Sequence, residues 1–268
     1  MIKINEMIDN AIKEGYQETD AEAKVCQDII LTLISKSPYN QNITIKGGVV
    51  MCLITKDTRR ATQDIDLDFI KYSLKDDSID RFILSLNAIG LVSLKRVGEI
   101  EELRQQDYHG KRVYIEIKDS ENVTLKSKID LGVHKHFNIN QEVFCFNTDF
   151  DNKGANLLIN SKEQMFTEKL RSILKFGAFS TRYKDIFDMH YLIQFLNADD
   201  LMTCLNTYIF KDDKMRENTV EDISKRLQQT FKNSRYISRL KTSNKNWLGV
   251  DINITLDNIL NYFSKLTK

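Results

Sequence analysis

The chain has 268 residues, 41% hydrophobic and 29% charged, with 39 Lys plus Arg against 38 Asp plus Glu and a net charge of +1. This excludes a disordered chain and a globally polyanion-binding one, though local basic patches stay open, and the length suffices for one large domain or two ordinary ones. No apolar run approaches the ~20 residues of a membrane span, and "MIKINEMIDNAIKEGYQ" lacks the layout of a signal peptide, so a cytoplasmic protein with no membrane partner is expected.

In chain order, apolar residues at Ala23, Val25, Cys26, Ile29, Ile30, Leu33 and Ile34 recur at helical spacing, with Thr19 or Asp20 as N-cap and Pro38 closing the exit. "NITIKGG" is a strand ending in glycines, and "VVMCLIT" continues as a short helix. "TQDIDLDFI" alternates apolar and acidic residues, the pattern of a strand with one wet face. "SIDRFILSLNAIG" is an amphipathic helix ended by Gly90. "LVSLKRVGEI", "KRVYIEIKD" and "TLKSKIDLGV" alternate again, the last two joined by "SEN" as an antiparallel hairpin. After about Asn160 the pattern turns helical in "SKEQMFTEKLRSILKFG", "STRYKDIFDMHYLIQFLN", "ADDLMTCLNTYIF", "TVEDISKRLQQTFKN" and "TLDNILNYFSKLTK", while "TSNKNWLGVDIN" reads as a loop. Cys26, Cys52, Cys145 and Cys204 form no CxxC pair and are expected to act as small core hydrophobes.

Residues two apart on a strand project to one face. Asp64, Asp66 and Asp68 therefore share a side, while Ile65, Leu67 and Phe69 face a core. Like charges at that spacing repel, so a positive counterpart is expected. Asp64 and Asp66 could hold one or two Mg²⁺ ions, hard cations that take oxygen ligands, with Mn²⁺ as a substitute. A metal pair about 3.5–4 Å apart clamps in-line phosphoryl or nucleotidyl displacement. Taken alone, such a strand reads as a solvated edge. Gly47 and Gly48, however, follow a strand and open a helix, where bare backbone amides let a phosphate approach. Arg59, Arg60 and Thr62 lie on the connection between these glycines and the acids. One substrate explains cradle and metal site together: a nucleoside triphosphate with Mg²⁺.

The stretch "KGGVVMCLITKDTRRATQDIDLDF" resembles the first motif of the DNA polymerase β-like nucleotidyltransferase superfamily. More narrowly, it resembles the AbiEii/AbiGii toxin group, whose members read a glycine pair, an apolar helix, then R-x-T-x-D-[IL]-D-[LF]. Arg60, Thr62, Asp64, Asp66 and Leu67 fit that spacing. "QMFTEKLRSILKFGAFSTRYKDIFDMHYL" resembles the group's later motifs, a Lys-Leu pair on one helix and R-x-K-D-x-x-D on the next. Lys169 and Leu170 supply the first; Arg182, Lys184, Asp185 and Asp188 supply the second. The resemblance spans about 43–195.

It implies an α+β fold: a nucleotidyltransferase-fold mixed β-sheet in an N-terminal half, 1–155, and a helical-bundle C-terminal half, 156–268, completing the nucleotide site. It also implies NMP transfer from NTP–Mg²⁺ to a hydroxyl by a toxin of a toxin–antitoxin or abortive phage-infection system, hence antiviral defence and a cognate antitoxin. Some relatives modify the 3′ end of tRNA, so an RNA acceptor is expected. Two alternatives stay open: a small-molecule nucleotidyltransferase of the antibiotic-modifying sort, and a catalytically idle member that binds a nucleotide or a protein.

On the same resemblance, Gly47, Gly48, Arg60, Thr62, Lys169 and Arg182 are expected to bind the nucleotide, with Asp64 and Asp66 as metal ligands. Asp68 is support or solvated acid. A third carboxylate, metal ligand or general base, would come from a neighbouring strand: Asp130 is the candidate and Glu116 its rival. Lys169 would neutralise triphosphate charge, and Asp185 would organise the nucleotide or Lys169. Asp188 either joins them or belongs to a structural ion-pair cluster with Arg182. His134 and His136 are read as a solvated strand end rather than metal ligands. Phe176, Phe179, Tyr183, Phe187, Tyr191 and Phe195 are read as the core of the helical half rather than a base-stacking platform.

Overall fold

In the computed structural model, which describes residues 3–103 and 110–266, the alternating stretches are strands and the stretches of three-to-four spacing are helices. The chain divides into two units, one ending at Asn160 and the other beginning at Ser161.

The first unit runs α1 (Ile4–Lys13), α2 (Glu18–Lys36), β1 (Ile43–Lys46), α3 (Gly47–Thr55), β2 (Ile65–Ile70), α4 (Asp76–Asn87), β3 (Ser93–Leu103), β4 (Gly110–Lys118), β5 (Thr124–His134), β6 (Glu142–Thr148) and β7 (Asp151–Ile159). Its strands form one mixed sheet in the order β3-β4-β5-β2-β1-β7-β6. β2 runs antiparallel to β1 and parallel to β5, and β1 runs parallel to β7. The expected hairpin is β4–β5. Helix α1 and the β6–β7 hairpin were not legible in the sequence. β6 exposes Val143 and Cys145, and Gly154 interrupts β7 at φ +67°, so neither strand shows a clean apolar alternation. The sheet runs to Ile159, past the boundary expected at 155.

Period two divides the sheet's faces. Ile45, Leu67 and Leu131 lie side by side across β1, β2 and β5, as do Ile65 and Ile129, all buried. The long helix α2 packs against β5, β6 and β7, with Ile29, Ile30, Leu33 and Ile34 fully buried. Tyr39, Phe69, Tyr72 and Phe82 meet edge to face under α4, a geometry the ring quadrupoles favour. The opposite face carries the polar row described below.

The second unit contains α5 (Lys162–Phe176), α6 (Tyr183–Leu192), α7 (Ala198–Leu205), α8 (Val220–Phe231), α9 (Ser234–Thr242) and α10 (Ile252–Leu266). Side chains of Ser161, Asn197, Thr219 and Asn233 cap four of these helices by accepting backbone N–H groups of the first turn. Phe166, Phe187, Met189, Leu201, Ile223, Leu227, Ile259 and Phe263 form the core. Helix α9 was not anticipated. Among the described residues no helix is long and apolar enough to cross a membrane.

Candidate functional site

The glycine pair opens α3 directly after β1, with Gly47 at φ +68°, a conformation that disfavours any side chain. A Cβ at Gly47 would collide with Asp66 Oδ2 and lie 3.2 Å from its Cγ, and one at Gly48 would lie 2.5 Å from Thr62 Oγ1. The glycines thus leave room for the acidic strand and the loop before it to pack onto the helix start. That loop is tied down from α2, where Gln27 Nε2 donates to the Thr62 carbonyl at 2.6 Å. Arg60, in the turn Thr58–Arg60, is buried.

Strand register then builds a polar row. Lys46 on β1 pairs with Asp66 on β2, Asp66 with Asp130 on β5, and Asp130 with Arg112 on β4. Cross-strand partners project to the same face, so Asp66 and Asp130 stand side by side, next to the glycine turn. The positive counterpart demanded by the aspartates is local. Lys46 Nζ sits 2.6 Å from Asp68 Oδ1, both side chains buried, and Lys128 Nζ sits 2.8 Å from Asp64 Oδ1. Arg112 clasps Asp130 with two donors, Nε to Oδ1 at 2.7 Å and Nη2 to Oδ2 at 2.8 Å. Asp68 Oδ1 has no partner in good hydrogen-bond geometry, so its contact with Lys46 is chiefly Coulombic. Asp68, expected as support or solvated acid, is therefore a buried ion-pair member. Glu116 pairs across strands with Lys95 and Lys126 and bonds Lys95 at 2.7 Å, away from the Asp66 row.

Among the described residues, no group of three or more His, Cys, Asp or Glu side chains is gathered to hold a metal ion. The expected set of Asp64, Asp66 and Asp130 is not such a cluster, and both oxygens of Asp130 are engaged by Arg112. Mg²⁺, however, commonly binds through one or two carboxylates and takes its remaining ligands from substrate phosphates and water. Asp64, half exposed, and Asp66, lying against Gly47, fit that simpler requirement.

In the second unit, α5 and α6 pack together and bring the later motifs into one cluster. Lys169 is buried, with Nζ 3.1 Å from Asp185 Oδ1 and 2.7 Å from Asp188 Oδ2. Arg182 Nε reaches Asp185 Oδ2 at 2.7 Å from an otherwise exposed side chain. Asp188, fully buried, also accepts from Trp247 Nε1 at 3.0 Å. Asp188 thus lies in an ion-pair cluster through Lys169, with Asp185 linking that lysine to Arg182. Two cations against two carboxylates leave the cluster neutral, the condition for burying such charge.

Sequence reasoning missed Gln27, Lys46, Arg112, Lys128 and Trp247. Cross-strand spacing was the one signal that could have found Arg112 and Lys128, since each lies opposite an aspartate only once the register is known. His134 is not solvated: it is buried at the end of β5, and burial lowers its pKa. The aromatic stripe is core only in part. Phe187 is fully buried, whereas Phe176, Phe179 and Phe195 are exposed. Cys145 is likewise exposed, unlike the other three cysteines.

A family model described as nucleotidyl transferase AbiEii toxin, type IV toxin–antitoxin system, matches residues 29–246. Among solved structures, MenT4, a nucleotidyltransferase toxin from Mycobacterium tuberculosis H37Rv, is similar over 100% of this chain and 90% of that one, at TM-score 0.59 and 14% identity. An antigenic nucleotidyltransferase-like protein from Paracoccidioides brasiliensis matches over 83% of this chain and 93% of that one, at TM-score 0.39 and 14% identity. No curated protein matches. The chain belongs to the AbiEii nucleotidyltransferase toxin family, and its fold is that of a nucleotidyltransferase toxin.

Proposed function

We propose that this AbiEii-family chain transfers NMP from an NTP–Mg²⁺ complex to a hydroxyl of an RNA, the 3′ end of a tRNA being the leading acceptor, and that a cognate antitoxin opposes it. The observation that carries the reading is Asp66 packed on Gly47 and in register with Asp130.

The backbone amides at the start of α3 bind phosphate, with the helix dipole adding positive potential. Asp64 and Asp66 hold the cation, which when bound screens the phosphate charge and orients the transferred group. Asp130 is the third carboxylate, and Arg112 holds it in place. Lys169, steadied by Asp185 and Asp188, is the lysine that meets negative charge developing on pyrophosphate, with Arg182 beside it. Arg60 and Thr62 shape the loop over the glycines.

Incubating the pure protein with total RNA, Mg²⁺ and each labelled NTP tests this. Label is expected in an RNA band with one NTP or more, and is expected to vanish in Asp64→Ala/Asp66→Ala. Label retained in that variant, or no label with any NTP, sinks the reading. Label on a small acceptor with RNA left untouched would select the antibiotic-type alternative.

A further inference from the structure

Helix α5 ends at Phe176, and the chain turns through Gly177–Phe179 before α6 begins. The turn displays two aromatic rings: Phe179 is 85% exposed and Phe176 47%. Leaving rings of this size in water forgoes burial that a core position would supply, yet the turn is held firmly in place. Gly177 sits at φ +50°, and a Cβ there would come within 2.7 Å of Arg226 Nη2. Arg226, on α8, donates Nε to the Leu174 carbonyl at 3.2 Å, closing the C-terminus of α5. Ser180 N donates to the Gly177 carbonyl at 3.0 Å.

The cations held against this turn are Lys175 and Arg226. Farther along the same stretch Lys169 and Arg182 are balanced by Asp185 and Asp188, and Arg171 by Asp212. Lys175 Nζ lies over the Phe176 ring, 5.7 Å from its centroid. Three residues past Phe179, Arg182 reaches Asp185, which in turn holds Lys169. The aromatic turn therefore adjoins the lysine cluster within the same unit.

We propose that Phe179 and Phe176 form a stacking platform for unpaired bases of the RNA acceptor, whose phosphates are met by Lys175 and Arg226. Exposed rings interleaved with cations match single-stranded nucleic acid, because every base offers a π-face and every linkage a negative charge. A duplex hides those faces. The proposal rests on the RNA-acceptor reading above and adds to it where the acceptor binds.

The test is fluorescence anisotropy of a labelled single-stranded RNA of about twelve nucleotides, within the span of such sites, titrated with the full chain at fixed salt. Phe179→Ala is expected to weaken binding about ten-fold or more, as loss of one stacked base does, and Phe176→Ala by less. Phe179→Trp keeps the affinity, which excludes misfolding as the cause. Phe195→Ala, an exposed ring followed by the acidic Asp199 and Asp200, leaves it unchanged. A duplex of the same sequence binds more weakly. Equal affinity of Phe179→Ala and wild type overturns the platform, as does no binding by wild type. So does a Phe179→Ala protein that loses its antitoxin but keeps its RNA, which assigns the rings to a protein partner. If the transfer reading fails instead, wild type binds this RNA and Phe179→Ala does not, while neither labels it.

Discussion

At the residue scale, Gly47 concentrates the most information. Its position requires both a left-handed backbone and the absence of a Cβ, because Asp66 occupies the space. Gly47→Ala is expected to abolish or strongly reduce transfer by displacing Asp66, while costing about 1–2 kcal/mol of stability. Labelled-NTP incorporation beside a urea melt measures both, and wild-type turnover in this variant would remove Asp66's seat as a requirement. The Lys46–Asp68 pair makes a second residue-level case. Removing one partner of a buried pair leaves an uncompensated charge and costs on the order of 3–5 kcal/mol. Asp68→Leu is therefore expected to lower the urea midpoint sharply, and Lys46→Met/Asp68→Leu to recover much of the loss. A double variant no more stable than the single would show that the pair is not what holds that part of the sheet.

Burial lowers the His190 pKa, and Asn258 Nδ2 lies 3.1 Å from its Nδ1. Such a histidine is held neutral in the fold, so its contribution is full above its unfolded pKa of about 6.5 and is lost as pH falls toward the lower folded value. His190→Gln is expected to show a shallower loss of melting temperature than wild type between pH 6.5 and 5. Parallel curves would mean that the ring titrates alike in both states.

At the element scale, the segment read as a loop, "TSNKNWLGVDIN", is where local pattern was least informative. Trp247 within it is buried and donates to Asp188, so the loop closes over the Lys169 cluster. Trp247→Phe keeps the ring and deletes the donor. It is expected to cost about 1 kcal/mol in stability and to weaken NTP use less than Lys169→Ala, read as kcat and KM under saturating acceptor. If Trp247→Phe matched Lys169→Ala in both, the loop would be acting on the reaction itself rather than through the lysine's seat. The amphipathic elements behave differently from this loop. The α2 spacing and the alternation in β2 and β5 were readable because each buries a single face. β6 and β7 were not, since an edge strand and a glycine-interrupted neighbour carry little apolar periodicity.

At the scale of the whole molecule, membership in a toxin family predicts a cellular outcome. Expression of the chain is expected to arrest growth. Arrest should disappear with Asp64→Ala/Asp66→Ala and be relieved by co-expression of the antitoxin, followed by colony counts after induction. Arrest that persists in the double variant would mean that toxicity does not come from this carboxylate pair.

Read alone, the order of residues determined the strand–Gly-Gly–helix–acidic-strand succession, the Lys-Leu and R-x-K-D-x-x-D helices and the change to helices after Asn160, because period two and period 3.6 are local properties of a chain. It also named both candidates for the third carboxylate. What only the tertiary structure decided was which side chains meet: Asp130 rather than Glu116 beside Asp66, Lys46 under Asp68, Arg112 on Asp130, Trp247 on Asp188, and Phe176, Phe179 and Phe195 left in water. Those outcomes depend on strand register and helix packing, which join residues distant in sequence and leave no periodic trace within either segment.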